Sequence, residues 1–117
     1  MHMPGRIGMQ DCIDACDTCR QQCLSTIAYG LEQGGRHARA EHIRLLADCA
    51  EICQTSANFM SRASAHHAET CGLCAEICEA CALSCEQLGE DAEMQRCAEA
   101  CRACADSCRE MASHASA

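Results

Sequence analysis

Small and apolar residues recur along this chain in steps of three and four, the spacing that keeps side chains on one face of an α-helix, and no stretch alternates with the period of two that a strand requires. Punctuation divides the pattern into four. Pro4 is the single proline, and Gly5, Gly8, Gly34, Gly35 and Gly89 fall at breaks, which leaves Gly30 and Gly72 as exceptions inside helical stretches. Helices are expected over about residues 6–33, 37–63, 65–88 and 91–112, in segments rich in Ala, Glu, Gln, Leu and Arg. The second and third are the hardest to separate, because "SRASAHHAE" contains neither Gly nor Pro and offers only Ser64 as an N-cap. Short connections between long helices imply antiparallel neighbours. The predicted fold is therefore all-α, an antiparallel up-and-down four-helix bundle forming one domain over residues 1–117.

Cysteine fills the inward positions of this pattern. The first helix carries Cys12, Cys16, Cys19 and Cys23, the fourth carries Cys97, Cys101, Cys104 and Cys108, and the third repeats the same spacing at Cys74, Cys78, Cys81 and Cys85 with Cys71 added in front. The second helix is an eroded copy: "DCAEICQTSANFM" aligns with "RCAEACRACADSC", so Cys49 and Cys53 match Cys97 and Cys101 while Ser56 and Met60 take the last two places. Such steps are the a and d positions of a heptad, which face the bundle axis. Glu51, Glu76, Glu79 and Glu99 fall between the cysteines and read as a solvated outer face, and Tyr29 and Phe59 read as packing residues. In an antiparallel bundle the starts of helices one and three lie beside the ends of two and four, so the four thiol stripes overlap in one tube. Cys12 to Cys23 alone spans about 16 Å at about 1.5 Å per residue. Leu24, Ile27, Leu31, Ile43, Leu45, Leu46 and Leu88 are expected to plug the opposite end.

Composition makes an ordinary core hard to build. The chain is 49% apolar over 117 residues, but 15 of those residues are cysteine, Trp is absent, and Tyr and Phe occur once each. At this length there is little core to spare. A net charge of −8 with no run of basic residues disfavours nucleic acid and anionic membrane surfaces as partners. The opening "MHMPGRIGMQDC" lacks the apolar stretch of a secretory leader, and no segment approaches the roughly 20 apolar residues of a membrane span. A cytoplasmic location is expected on that basis. Disulfides are rare in that compartment, and an odd number of cysteines leaves one thiol over in a pure disulfide framework.

The chemistry of the stripes points to soft metal. Thiols three or four apart on a helix have Cβ atoms about 5–6 Å apart, and rotamers can set two sulfurs about 4.6 Å apart, two metal–sulfur bonds of about 2.3 Å. Thiolates select Cu(I), zinc or iron–sulfur clusters. Zinc wants compact sets of four ligands, which continuous stripes are not expected to present, and iron–sulfur loops carry a trailing Cys-Pro that is absent here. Cu(I), with a low coordination number and tolerance of bridging thiolates, suits the tube best. If each sulfur bridges two ions, capacity approaches one ion per cysteine, on the order of 15 ions. That is storage, and no Ser-His-Asp set, paired carboxylate site or phosphate loop suggests an enzyme. Neutral thiols can fill an apolar core, whereas buried thiolates need matching cations. Each Cu(I) replaces a proton, so loading depends on pH and the apo and loaded forms share one fold. Two alternatives stay open: a zinc or other soft-metal sink of metallothionein type, and a thiol redox protein using a CxxC pair such as Cys71 and Cys74. Redox enzymes, however, usually place one low-pKa thiol at a helix N-terminus. The plainest rival is a cysteine core that never meets metal, although alanine or valine would pack without the oxidation risk.

The motif CxxxCxxCxxxC on helices one, three and four, the "DCAEIC" of helix two and "FMSRASAHHAETCGLCAEICEACALSC" across the second turn resemble the bacterial four-helix-bundle copper storage proteins over nearly the whole chain. The resemblance implies multiple Cu(I) ions held inside the bundle by the fifteen cysteine thiolates, a homo-oligomer that is a tetramer of bundles, and a cytosolic location for members without a leader. Copper ions are then the cargo and a copper chaperone is a candidate donor, with no nucleic-acid or membrane partner.

The thiol-rich end also gathers Met9, Met60, His66, His67 and Met111, with His2, Met3 and His114 close in sequence. Thioether and imidazole bind copper more weakly and exchangeably than thiolate. A loading mouth is expected there, and Cys71, which extends the third stripe one step toward it, is expected among the first thiols an ion meets. His37 and His42, near Met94, mark a candidate second port at the far end. The competing readings are core filling for the methionines and exposed surface positions for the histidines, the latter favoured most for His37 and His42.

Overall fold

A computed structural model describes residues 4–114, with side chains described for 8–113. Among the described residues there are four α-helices and no strand: α1 (Pro4–Gln33), α2 (Ala40–Ser61), α3 (His67–Glu86) and α4 (Ala92–His114), with a 3₁₀ turn over Gly35–Ala38. Each helix packs on its neighbours in sequence and α4 returns to α1, which leaves α1 and α3 on one diagonal and α2 and α4 on the other. The result is the up-and-down bundle that the helical period implies, 48 × 24 × 18 Å. None of its helices is long and apolar enough to cross a membrane.

The helix boundaries depart from those expected by one to three residues, α1 alone ending where expected, and two of the starts have a clear local reason. α2 begins at Ala40 and not near 37, because residues 35–38 form the 3₁₀ turn that folds back over α1. Gly30 permits that approach, since a Cβ there would stand 2.7 Å from the His37 carbonyl oxygen. The turn is tied down by Asp91, which accepts hydrogen bonds from Tyr29 Oη (2.7 Å) and His37 Nε2 (3.0 Å) while its other oxygen accepts from the Met94 N–H and caps α4. α3 begins at His67, because α2 is closed by an αL turn. Ser64 N–H donates to Phe59 O and Ala63 N–H to Met60 O, with Ala63 at φ 52° where glycine is usual. The N-cap of α3 is His66 and not Ser64, whose hydroxyl accepts from the His66 N–H at 3.0 Å just ahead of the helix.

The core is continuous and made of sulfur. Its inward stripes run beyond the cysteines: α1 continues to Thr26 and Gly30, α2 reads His42, Leu46, Cys49, Cys53, Ser56 and Met60, and α4 runs from Met94 to Met111. Alanines at 50, 57, 75, 82, 98 and 105 are buried beside these stripes and let the helices approach closely. The expected leucine plug is corrected by this register. Leu46 is buried, and Ile27, Ile43, Leu45 and Leu88 pack half-buried around it, but Leu24 and Leu31 are 49% and 58% exposed. Three- and four-residue steps from Cys23 lead to Thr26 and Gly30, so the two leucines fall beside the stripe on the outer surface. Thr26, His42, Leu46 and Met94 close that end instead.

Candidate metal centre

All fifteen cysteines are buried with no measurable exposure, and none is in a disulfide. Four helices, each contributing an inward residue every three or four positions, bring the sulfurs into mutual contact along the axis. Cys49 and Cys78 lie 3.5 Å apart, Cys12 and Cys108 3.6 Å, Cys19 and Cys101 3.7 Å, and Cys23 and Cys97 4.0 Å. Ligands on a tetrahedral or trigonal metal with bonds of about 2.3 Å sit about 3.8–4.0 Å apart, so the apo spacing already approximates a coordination shell. A linear S–metal–S unit of about 4.6 Å is a rotamer adjustment away.

Five sets of sulfurs lie within 4.8 Å of one another: Cys12/Cys16/Cys108, Cys16/Cys53/Cys74/Cys104, Cys19/Cys53/Cys78/Cys104, Cys19/Cys23/Cys49/Cys101 and Cys23/Cys81/Cys97/Cys101. Two of them draw one thiol from every helix. This corrects the expectation that stripes present no compact sets of four. Consecutive sets share Cys16, then Cys53 and Cys104, then Cys19, then Cys23 and Cys101, so they form one ladder with common members. No more than two of the four-thiol sets can be chosen without sharing a sulfur. Isolated tetrahedral sites therefore fill the tube poorly, and ions joined by bridging thiolates fill it well.

The apo tube holds its protons in S–H···S contacts. Contacts with Cys19, Cys23, Cys49 and Cys81, and after them burial, push the Cys101 thiol far up, and Cys104 and Cys81 play the leading part for Cys108 and Cys85. Cys16 moves the other way, chiefly through its contact with Cys104, which donates to it at 3.6 Å, and then through Cys108. At the rim, Cys108 draws Cys71 down, but Cys12 and burial outweigh it and push Cys71 up to about 12. Thirteen cysteines belong to at least one set; the two outside them are Cys71 and Cys85, at opposite ends.

At the thiol-rich end Met60 and Met111 are each 2% exposed, and Met9 packs half-buried against the same core. His67 is half-buried, its Nδ1 2.9 Å from the Ser64 carbonyl oxygen, whereas the His66 side chain is 73% exposed and paired with Glu69. His2 and Met3 lie outside the described residues, as does the side chain of His114. Glu51, Glu76, Glu79 and Glu99 are on the surface, where Glu79 pairs with Arg109.

Thr26 and His42 are buried polar groups that the sequence did not place in the core, whereas Ser56 keeps its expected inward position. His42, expected on the surface, is only 6% exposed, and its Nε2 has no hydrogen-bond partner. Ser56 is fully buried, and its Oγ is likewise unpartnered. Continuing the α2 heptad one step past Leu46 is the signal that places His42 inside.

A family model described as copper storage protein matches residues 6–113. The Nmul_A1745 protein of Nitrosospira multiformis is similar at 50% identity with a TM-score of 0.88, covering 93% of this chain and 98% of that one. The Cu(I)-bound copper storage protein BsCsp3, from Bacillus subtilis, is 38% identical with a TM-score of 0.83 over 90% of this chain and 98% of that one. A cytosolic copper storage protein from Streptomyces lividans, solved during copper loading, is 30% identical with a TM-score of 0.86, covering 93% and 95%. A cysteine-rich protein of Bacillus subtilis, YhjQ, is 40% identical over 80 residues, 68% of this chain and 74% of that protein.

Proposed function

The chain belongs to the copper storage protein family, and from that premise we propose that its fifteen thiols act as one continuous ladder for Cu(I). It binds and stores several Cu(I) ions on cysteine thiolates inside the bundle. The ligands in this reading are Cys12, Cys16, Cys19, Cys23, Cys49, Cys53, Cys71, Cys74, Cys78, Cys81, Cys85, Cys97, Cys101, Cys104 and Cys108. The observation that carries it is the sharing of sulfurs between consecutive sets, because bridging thiolates suit a metal of low coordination number. Each ion displaces a thiol proton and balances the charge left behind, so the interior stays near neutral as it fills.

Loading is assigned to the end closed by Met9, Met60 and Met111, whose thioethers can pass an ion inward to Cys71. The half-buried His67 stands beside this mouth, and His66 has the weaker claim because its ring is turned to solvent and Glu69. Cytoplasmic location follows the likeness to a protein described as a cytosolic copper storage protein. Self-association into a homo-oligomer, a tetramer by the family resemblance, is supported by the apolar side chains of Leu24, Leu31, Leu73 and Leu83, each about half exposed. No catalytic step is assigned. A copper chaperone remains the proposed donor.

Titrating the reduced protein with Cu(I), and separately with Zn(II), against a chromophoric competitor tests this reading. Uptake on the order of 15 Cu(I) per chain is expected by ligand counting, against no more than about two tightly held Zn(II) if zinc takes unshared tetrahedral sets. Fewer than about five Cu(I), set against that ligand count, sinks the storage ladder. A cycling disulfide with little metal uptake would favour redox chemistry instead.

A further inference from the structure

We propose that Gly8 sets the rate of copper entry by giving Met111 a seat, so that this methionine closes the mouth along the seam between α1 and α4 and swings aside to admit an ion. The inference rests on the storage reading and deepens it: Gly8 is a positioning residue that acts through Met111. Cys12 and Cys108 touch across the two helices at 3.6 Å. Four residues back along α1 and three onward along the antiparallel α4 bring Gly8 and Met111 to one level just outside that pair. There a Cβ on residue 8 would stand 2.9 Å from the Met111 Cε, closer than real Cβ contacts come, so the methionine's methyl group occupies the place of the missing side chain. Backbone geometry does not require glycine: Gly8 lies within α1, and the glycines with positive φ among the described residues are Gly34, Gly35 and Gly89. Helix propensity argues against it. The space taken by Met111 is the reason that remains.

The seat matters because of what lies beneath it. The outermost thiol set is Cys12, Cys16 and Cys108, drawn from α1 and α4 alone, with Cys16 3.7 Å from Cys108. α2 and α3 add no member to it, since the register fixed by the 3.8 Å contact of Cys53 and Cys74 places Ser56 and Cys71 at this level, both outside the set. An ion entering by the α1–α4 seam therefore meets a ready three-sulfur site. On its other flank α4 lies close against α3, where a Cβ at Gly72 would touch that of Ala112 at 3.9 Å with nothing displaced. A long side chain, not close packing of small residues, thus fills the gap on the α1 side. Met111 is only 2% exposed, so its sulfur cannot take an ion from solution until the side chain leaves the seat. Methionine suits that motion, because it turns about three side-chain bonds and its thioether binds Cu(I) exchangeably before giving it up to thiolates. The transfer exchanges sulfur ligands on the ion, releases thiol protons and moves no electron.

The test compares Gly8→Ala with wild type and with Gly72→Ala, a substitution of the same kind at the same end that leaves Met111 undisturbed. Uptake of Cu(I) from a weak chromophoric complex, and its release to a strong chromophoric chelator, are followed anaerobically by stopped-flow mixing of the reduced or loaded protein. Gly8→Ala should quicken both by about twofold to tenfold, the change expected when a packed side chain is pushed off its favoured rotamer, with capacity unchanged. Gly72→Ala should match wild type. In a Met111→Ala background, which leaves nothing for the new methyl group to displace, Gly8→Ala should have no effect on either rate, as acting through Met111 demands. Should Gly8→Ala fail to fold, Met111→Ala decides by itself, because removing the lid must quicken release. Rates in Gly8→Ala no faster than those of Gly72→Ala overturn the inference and leave the storage ladder standing, as does unchanged release from Met111→Ala. A wild-type chain that does not load Cu(I) removes both.

Discussion

Ser56 is where a single side chain does most to limit the ladder. It occupies an inward position between Cys53 and Met60, yet a hydroxyl is a poor ligand for a soft ion, and its buried oxygen has no partner. Leaving such a group unpaired costs about 1–3 kcal/mol, whereas a thiol packs as a small hydrophobe. Ser56→Cys should therefore raise Cu(I) capacity by about one equivalent, by the same ligand counting, and stabilise the apo protein. Competitor titration and chemical denaturation read the two effects, and an unchanged capacity would count against bridging throughout the tube. The structure offers no reason for serine at this position. The methionines at the mouth call for a different measurement. Replacing both Met60 and Met111 by leucine nearly conserves volume and should cost less than about 1.5 kcal/mol per site. It should slow Cu(I) uptake in stopped-flow mixing while leaving final capacity intact, and an unchanged rate would assign the two side chains to packing alone.

Among the helices, the sequence marked some turns clearly and hid one. Gly34, Gly35 and Gly89 all take positive φ and mark real breaks, whereas Gly5 and Gly8, also read as breaks, lie inside α1. The turn between α2 and α3 was obscure because Ala63 takes the left-handed conformation that glycine usually supplies. An L-residue is strained there by about 1–2 kcal/mol. Ala63→Gly should accordingly stabilise the bundle by about 1 kcal/mol after the added flexibility of the unfolded chain is counted, a rise in denaturation midpoint without a change in slope. Gly30→Ala should do the reverse. Helix propensity favours alanine by about 1 kcal/mol, but the new Cβ would meet the His37 carbonyl oxygen at 2.7 Å and lift the 3₁₀ turn away from α1. Loss of stability in urea, with the helices retained, is the expected outcome.

For the molecule as a whole, copper and protons compete for one buried lattice. At its rim Cys108 pulls the Cys71 thiol down, but Cys12 and burial outweigh it and push Cys71 from 9.0 to about 12. The folded apo chain then keeps a proton that the unfolded chain has lost, so this contribution to stability is complete below pH 9 and disappears as pH rises from 9 to about 12. Thermal midpoints of the apo protein under reducing, anaerobic conditions should fall across that window. The copper-loaded protein, whose thiols have already given up their protons, should fall much less. By itself the sequence determined the helical period, the burial of its cysteine face, the eroded second stripe and the preference for a soft cargo, because spacing and side-chain chemistry are local properties of the chain. Only the tertiary structure decided which thiols share an ion, that Leu24 and Leu31 stand outside the core, and that His42 faces inward with a nitrogen unused. Those outcomes depend on the axial register and rotation of four helices against one another, which are set by contacts between residues far apart in the chain.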